Sequence, residues 1–86
     1  MKSYRVYQLK NEEERSYIGL SEDVNKRLEQ HNEGESKWTK RGIPWRLVWK
    51  SREMTLGEAR KLENLLKRQK GGSGLARLLE AYRSDS

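Results

Sequence analysis

The sequence predicts an α/β protein of the α+β type: one small, three-stranded, mainly antiparallel sheet flanked by helices, in the order ββαβαα. Three observations carry this prediction. Two β-like runs, residues 3–10 and 15–20, are separated only by Asn11 and a cluster of acids, which is hairpin spacing. Three later segments place apolar side chains three and four apart, the period of a helix face. A third β-like run, Trp45-Arg46-Leu47-Val48-Trp49, stands among them after the breakers Gly42 and Pro44.

Taken in order, residues 3–10 read SYRVYQLK, with no breaker, and Asn11 with Glu12–Glu14 suits a turn. RSYIGL then returns as the second strand. Ser21 is expected as a helix N-cap, with Glu22 and Asp23 in the first turn, where the helix dipole favours anions. This helix runs to about Asn32, before Gly34, and its buried stripe starts with Val24 and Leu28. Residues 34–44, GESKWTKRGIP, form a basic loop. Thr55-x-x-Glu58 is a capping box that opens the second main helix. That helix is expected to continue to about Lys70, with a stripe of Leu56, Ala59, Leu62 or Glu63, and Leu66, and to end at Gly71-Gly72. Leu75, Leu78, Leu79 and Tyr82 have helical spacing, so a short third helix over 74–83 closes a single domain spanning 1–86.

A chain of 86 residues buries only about 60–65% of its unfolded surface, so the core is modest. Hydrophobic residues make up 33% of it and charged residues 37%, a balance near that of disordered chains. Three Trp and four Tyr supply the missing burial. There is no Cys and one His, which excludes a disulfide framework and a structural zinc site. No apolar run is long enough for a signal peptide or a membrane helix, so the expectation is a cytoplasmic protein.

The net charge is +6, and it is unevenly placed. Residues 1–36 carry 6 basic and 8 acidic side chains, residues 37–70 carry 11 and 3, and residues 71–86 carry 2 of each. The basic middle segment, which includes Lys37, Lys40, Arg41, Lys67, Arg68 and Lys70, reads as a surface for a polyanion, most commonly nucleic acid. The plainer reading is a basic surface that keeps the protein soluble. A membrane partner is disfavoured, because no strongly basic helix also has a broad apolar face.

Three polar side chains break the helix patterns. Arg27 lies three after Val24, and His31 three after Leu28, so both fall on the packed side of their helix. Glu63 lies four after Ala59 and three before Leu66, again on the packed side. A charge facing a core is costly unless paired or metal-bound. Either Glu63 and Arg27 form an internal salt bridge, or Arg27, His31 and Glu63 border a cleft beside the hairpin tyrosines. Tyr7 and Tyr17 are likewise either cross-strand packing or part of that cleft. Trp45 and Trp49 read as core or loop anchors, whereas Trp38, among Lys37, Lys40 and Arg41, is a candidate for stacking on a base.

Arg5-Val6-Tyr7, Tyr17-Ile18-Gly19, Ser21, Arg27-x-x-x-His31, the Thr39-bearing basic loop and Ala59-x-x-x-Glu63-x-x-Leu66-Lys67 follow one another within residues 4–70, with nine residues between the two tyrosines. In this order and spacing they resemble the GIY-YIG nuclease domain, especially its small stand-alone bacterial members, and are similar to the N-terminal nuclease domain found in the bacterial ABC excinuclease. Arg5 stands where the family name has Gly, and residues 71–74, GGSG, offer no match for an asparagine that many members carry.

The resemblance implies the GIY-YIG fold and a divalent-metal-dependent endonuclease that acts on DNA, branched or damaged duplex above all, in repair or processing. RNA is left open as a substrate, and no obligate protein partner is evident. The resemblance also implies that Glu63 holds one Mg²⁺ or Mn²⁺ and that Arg27 clamps the scissile phosphate. Tyr7 would position or deprotonate the attacking water, and Tyr17 would hydrogen-bond the water or the phosphate. A free tyrosine, with a pKa near ~10, is a poor base at neutral pH, so His31, near ~6.5, is the alternative. Lys37, Trp38, Thr39, Lys40, Arg41, Lys67 and Arg68 are the expected nucleic-acid contacts. The competing expectation is a binding module that keeps the fold without turnover.

Overall fold

The computed structural model describes residues 2–69 and 71–84. Strands β1 (Arg5–Asn11) and β2 (Ser16–Ser21) form the hairpin, followed by helix α1 (Val24–Asn32), a 3-10 turn at Lys40–Gly42, strand β3 (Trp45–Lys50), and helices α2 (Leu56–Arg68) and α3 (Gly72–Tyr82). The sheet order is β2-β1-β3, with both pairings antiparallel. This is the expected ββαβαα arrangement.

β1 is the central strand and is covered on both sides. Successive side chains of a strand point to opposite faces, and here the two faces have different partners. Val6 packs with Ala59, Leu62 and Leu66 of α2, and Ile18, Leu20, Trp49 and the leucines of α3 complete that layer. Tyr7 and Leu9 pack with Val24 of α1 and with Trp45, joined by Tyr17 and Leu28. Residues 6–9 are therefore all buried, which explains why β1 lacks the apolar–polar alternation of a half-exposed strand.

The helix ends depart from expectation in small, instructive ways. Ser21 is the last residue of β2, not the N-cap of α1. Asp23 takes that role: its carboxylate accepts the Lys26 N–H at 3.0 Å, while the Ser21 hydroxyl accepts the Asp23 N–H at 3.0 Å. Two residues are needed to turn the chain out of the strand, and a carboxylate is the stronger acceptor at the positive end of a helix. Glu22 and Asp23 consequently precede the helix and leave no acid in its first turn. The capping box is as expected, with Glu58 N–H on Thr55 Oγ1 at 3.2 Å and Thr55 N–H on Glu58 Oε1 at 3.1 Å. α2 ends at Arg68, capped by Gln69 in extended backbone, and Lys70, the expected end, lies outside the described residues. Gly71 and Gly72 have φ of 86° and 80°, a left-handed pair that glycine adopts without strain, and α3 starts at Gly72 rather than residue 74.

Arg5, in place of a glycine, has a structural use. Its guanidinium donates to the Ser51 carbonyl at 2.7 Å, to Ser84 Oγ at 2.9 Å and to Glu53 Oε1 at 3.3 Å. It ties the start of the central strand to the segment after β3 and to the segment after α3.

Candidate active site

Tyr7 stands in the middle of β1, only 1% exposed, directly opposite Gly19 of β2. A Cβ at position 19 would meet the Tyr7 hydroxyl oxygen at 2.6 Å, its Cζ at 2.8 Å and Tyr17 Cε2 at 3.0 Å. Glycine is required there because the Tyr7 ring lies across the neighbouring strand. The hydroxyl thereby reaches α1, where His31 Nε2 is 3.0 Å away.

His31 is fully buried. Its Nδ1 is 2.6 Å from Thr39 Oγ1, so both ring nitrogens are occupied and a continuous chain runs Tyr7–His31–Thr39. The Thr39 carbonyl in turn accepts the Trp45 indole N–H at 2.7 Å. Asn32 brackets the backbone of Trp45, accepting its N–H at 2.7 Å and donating to its carbonyl at 3.0 Å. The end of α1 and the loop after it are thus both tied to Trp45 at the start of β3. Tyr17 sets its ring edge-on to His31, with centroids 4.8 Å apart, and lies 6.3 Å from Tyr7.

The electrostatics follow from this packing. Burial, the neighbouring Tyr17 and, to a smaller extent, the Glu63 charge push the Tyr7 hydroxyl up to about 12, against the opposing pull of the Arg27 guanidinium. Burial first, and then Arg27, hold His31 below its usual range. At neutral pH the tyrosine is a phenol and the histidine a neutral imidazole.

Arg27 is half-buried, and its guanidinium donates to Gln30 Oε1 at 3.0 Å. The alternative of an internal Arg27–Glu63 salt bridge is not what forms. Glu63 pairs with Lys67 at 3.5 Å, one turn along α2, with its own side chain 20% exposed. Among the described residues Arg27 makes no ion pair, and it lines a hollow with Tyr4, Glu22, Asp23 and Lys26 rather than the cleft beside Tyr17. No three His, Asp or Glu side chains gather into a metal-holding group among the described residues. Glu63 nevertheless offers one partly open carboxylate whose charge is felt at Tyr7. A single carboxylate with the remaining positions left to water fits Mg²⁺ or Mn²⁺, and does not fit the three- or four-ligand demand of zinc.

A cleft opens beside this cluster, lined among others by Arg15, Tyr17, Trp38, Thr39 and Lys67. Lys37, Lys40, Arg41 and Arg68 are exposed. Thr39, expected as a nucleic-acid contact, has its side chain fully buried against His31, and serves the site from behind. Arg15 was hidden in the sequence by Glu12–Glu14 just before it; its place immediately before the tyrosine-bearing strand is the signal that could have found it. The clamp made by Asn32 has no such signal, because nothing local distinguishes it from any polar helix end.

This small α+β domain brings two tyrosines and a histidine together beside a basic cleft, while Arg27 lines a separate hollow with Tyr4, Glu22 and Lys26 and Glu63 stands on α2. The family described as the GIY-YIG catalytic domain matches residues 3–75. The chain belongs to this family, which is one of nucleases. It is 40% identical over 68 residues to the UPF0213 protein of Staphylococcus aureus strain Mu3, covering 78% of this chain and 83% of that relative. UPF0213 protein SAV0488 of strain Mu50 and UPF0213 protein SA0446 of strain N315 match to the same extent. No solved structure matches the chain significantly.

Proposed function

We propose that the protein is a divalent-metal-dependent endonuclease that hydrolyses DNA phosphodiester bonds, with a preference for branched or damaged structures, in DNA repair or processing. The observation that carries this reading is the buried chain from Tyr7 through His31 to Thr39, with hydrogen bonds of 3.0 and 2.6 Å.

Tyr7 alone is a poor base, since it keeps its proton up to about pH 12. His31 answers that difficulty. In the tautomer that donates Nδ1–H to Thr39 Oγ1, the His31 Nε2 lone pair faces the Tyr7 hydroxyl. As water attacks phosphorus, its proton passes to the Tyr7 oxygen while the tyrosine proton passes to His31 Nε2. The P–O bond to the leaving oxygen breaks, and that oxygen takes a proton from solvent. The His31 proton then returns to solvent through Tyr7. Burial that keeps His31 neutral therefore keeps it ready to accept. Arg27 binds a non-bridging phosphate oxygen with a guanidinium that no carboxylate among the described residues neutralises. Tyr17 orients the water or the phosphate. A divalent ion held by Glu63 would supply charge neutralisation at the phosphate and the leaving oxygen.

The test is incubation with a panel of linear, flapped and branched DNA, in Mg²⁺ or Mn²⁺ against EDTA. Metal-dependent cleavage of the branched members is expected. Binding across the panel with no cleavage in either metal contradicts the proposal and leaves a binding module.

A further inference from the structure

Trp38 is 90% exposed, the most exposed of the large apolar side chains among the described residues. Within those residues its indole has no hydrogen bond and no ring contact, so the fold makes no use of it. Yet the backbone under it is fixed. Trp38 sits inside a turn closed by the Lys40 N–H on the Ser36 carbonyl at 3.0 Å, and the Gly42 N–H bonds the Thr39 carbonyl at 3.0 Å. The very next side chain, Thr39, is buried on His31 at 2.6 Å, and His31 touches Tyr7. Trp38 is therefore held one residue from the relay that the mechanism employs, on the wall of the same cleft as Arg15, Tyr17 and Lys67. Lys37, Lys40 and Arg41 flank it, all exposed.

An apolar ring exposed in a positively charged rim is suited to a partner that is both anionic and flat. A protein partner would need a wider apolar surface, and paired bases present only their edges. An unpaired nucleotide offers a phosphate for the lysines and a free π-face for the indole. We infer that Trp38 is a stacking platform for an unpaired base beside the phosphate to be cut, so that the preferred DNA is a junction between single strand and duplex. The place of that base beside a scissile phosphate rests on the nuclease reading; the stacking does not.

The experiment uses the full chain in EDTA. Fluorescence anisotropy gives the affinity for a duplex with a single-stranded tail and for a blunt duplex of equal phosphate count at one salt concentration. The tail carries 2-aminopurine at its first unpaired position. Tighter binding of the tailed DNA and quenching of 2-aminopurine are expected. Trp38→Ala loses about ten- to a hundredfold on the tailed DNA, the usual range for one base–aromatic stack, and nothing on the blunt one. Trp38→Phe retains most of the preference. An unchanged affinity of Trp38→Ala for the tailed DNA, or an equal loss on both DNAs, overturns the inference. Cleavage of the same DNAs in Mg²⁺ is scored separately. A tail-specific Trp38 effect without cleavage upholds stacking and refutes the nuclease, and cleavage without a tail-specific effect does the reverse.

Discussion

A phenol pushed up to about 12 cannot take a proton from water unless it gives one away, and at Tyr7 a neutral imidazole stands 3.0 Å from the hydroxyl. The burial that keeps His31 neutral has a cost that can be measured. Its folded-state pKa is depressed, so the unfolded chain binds the proton first as pH falls. The stability this neutral histidine contributes is complete above about pH 6.5, the unfolded value, and is lost as pH falls from there toward the folded pKa. The melting temperature is expected to decline on acidification below about 6.5, before ordinary carboxylates titrate. His31→Asn is expected to lack that slope. A wild-type melting temperature that stays flat from about pH 7.5 to 5.5 contradicts the assignment. Sequence spacing placed His31 on the packed side of α1, but its bond to Thr39 joins residues eight apart through a loop turn, and no periodicity encodes that.

At the scale of elements, the hairpin and the helices were legible because each announces itself locally. The capping box of α2 is reciprocal hydrogen bonding between residues three apart, and Gly71-Gly72 marks a turn that side chains resist. The start of α1 was misplaced by two residues because Ser21 and Asp23 are both good caps, and only the length of the turn out of β2 decides between them. Nothing local in the sequence says what Gly19 makes room for, which is the Tyr7 hydroxyl, 2.6 Å from where a Cβ would be. Gly19→Ala displaces the Tyr7 ring from a packed layer, and overpacking of this kind costs about 1–3 kcal/mol. A lower urea midpoint with an unchanged slope is expected, together with a loss of cleavage, because Tyr7 moves off His31. A variant that unfolds at the wild-type midpoint would show that the strand pair is looser than the contact distances require.

Across the whole molecule, the two helical layers lie on opposite faces of the sheet and carry opposite charges, both of which act on Tyr7. α1, on the Tyr7 face of the sheet, brings Arg27 and His31. α2 packs over β2 and β1 on the Val6 face and brings Glu63, whose charge is still felt at Tyr7. Spacing alone left an internal Arg27–Glu63 pair and a shared cleft as equal alternatives. The structure separates the two residues into different partnerships, Gln30 for one and Lys67 for the other. Why a small domain holds an arginine and a glutamate on its packed faces without joining them is the question that the proposed cleavage of DNA answers, and Glu63→Gln tests it most directly. The substitution removes the charge and keeps the shape. The one ion pair of Glu63 among the described residues is an i,i+4 contact with Lys67, worth about 0.3–0.5 kcal/mol, so the variant is expected to melt close to the wild type. The measurement is the cleavage rate of a labelled branched DNA in Mg²⁺, wild type beside Glu63→Gln. A fall of several orders of magnitude is expected, with binding of the same DNA retained, because the metal's share of transition-state stabilisation is lost. A folded Glu63→Gln that cuts at the wild-type rate contradicts the account.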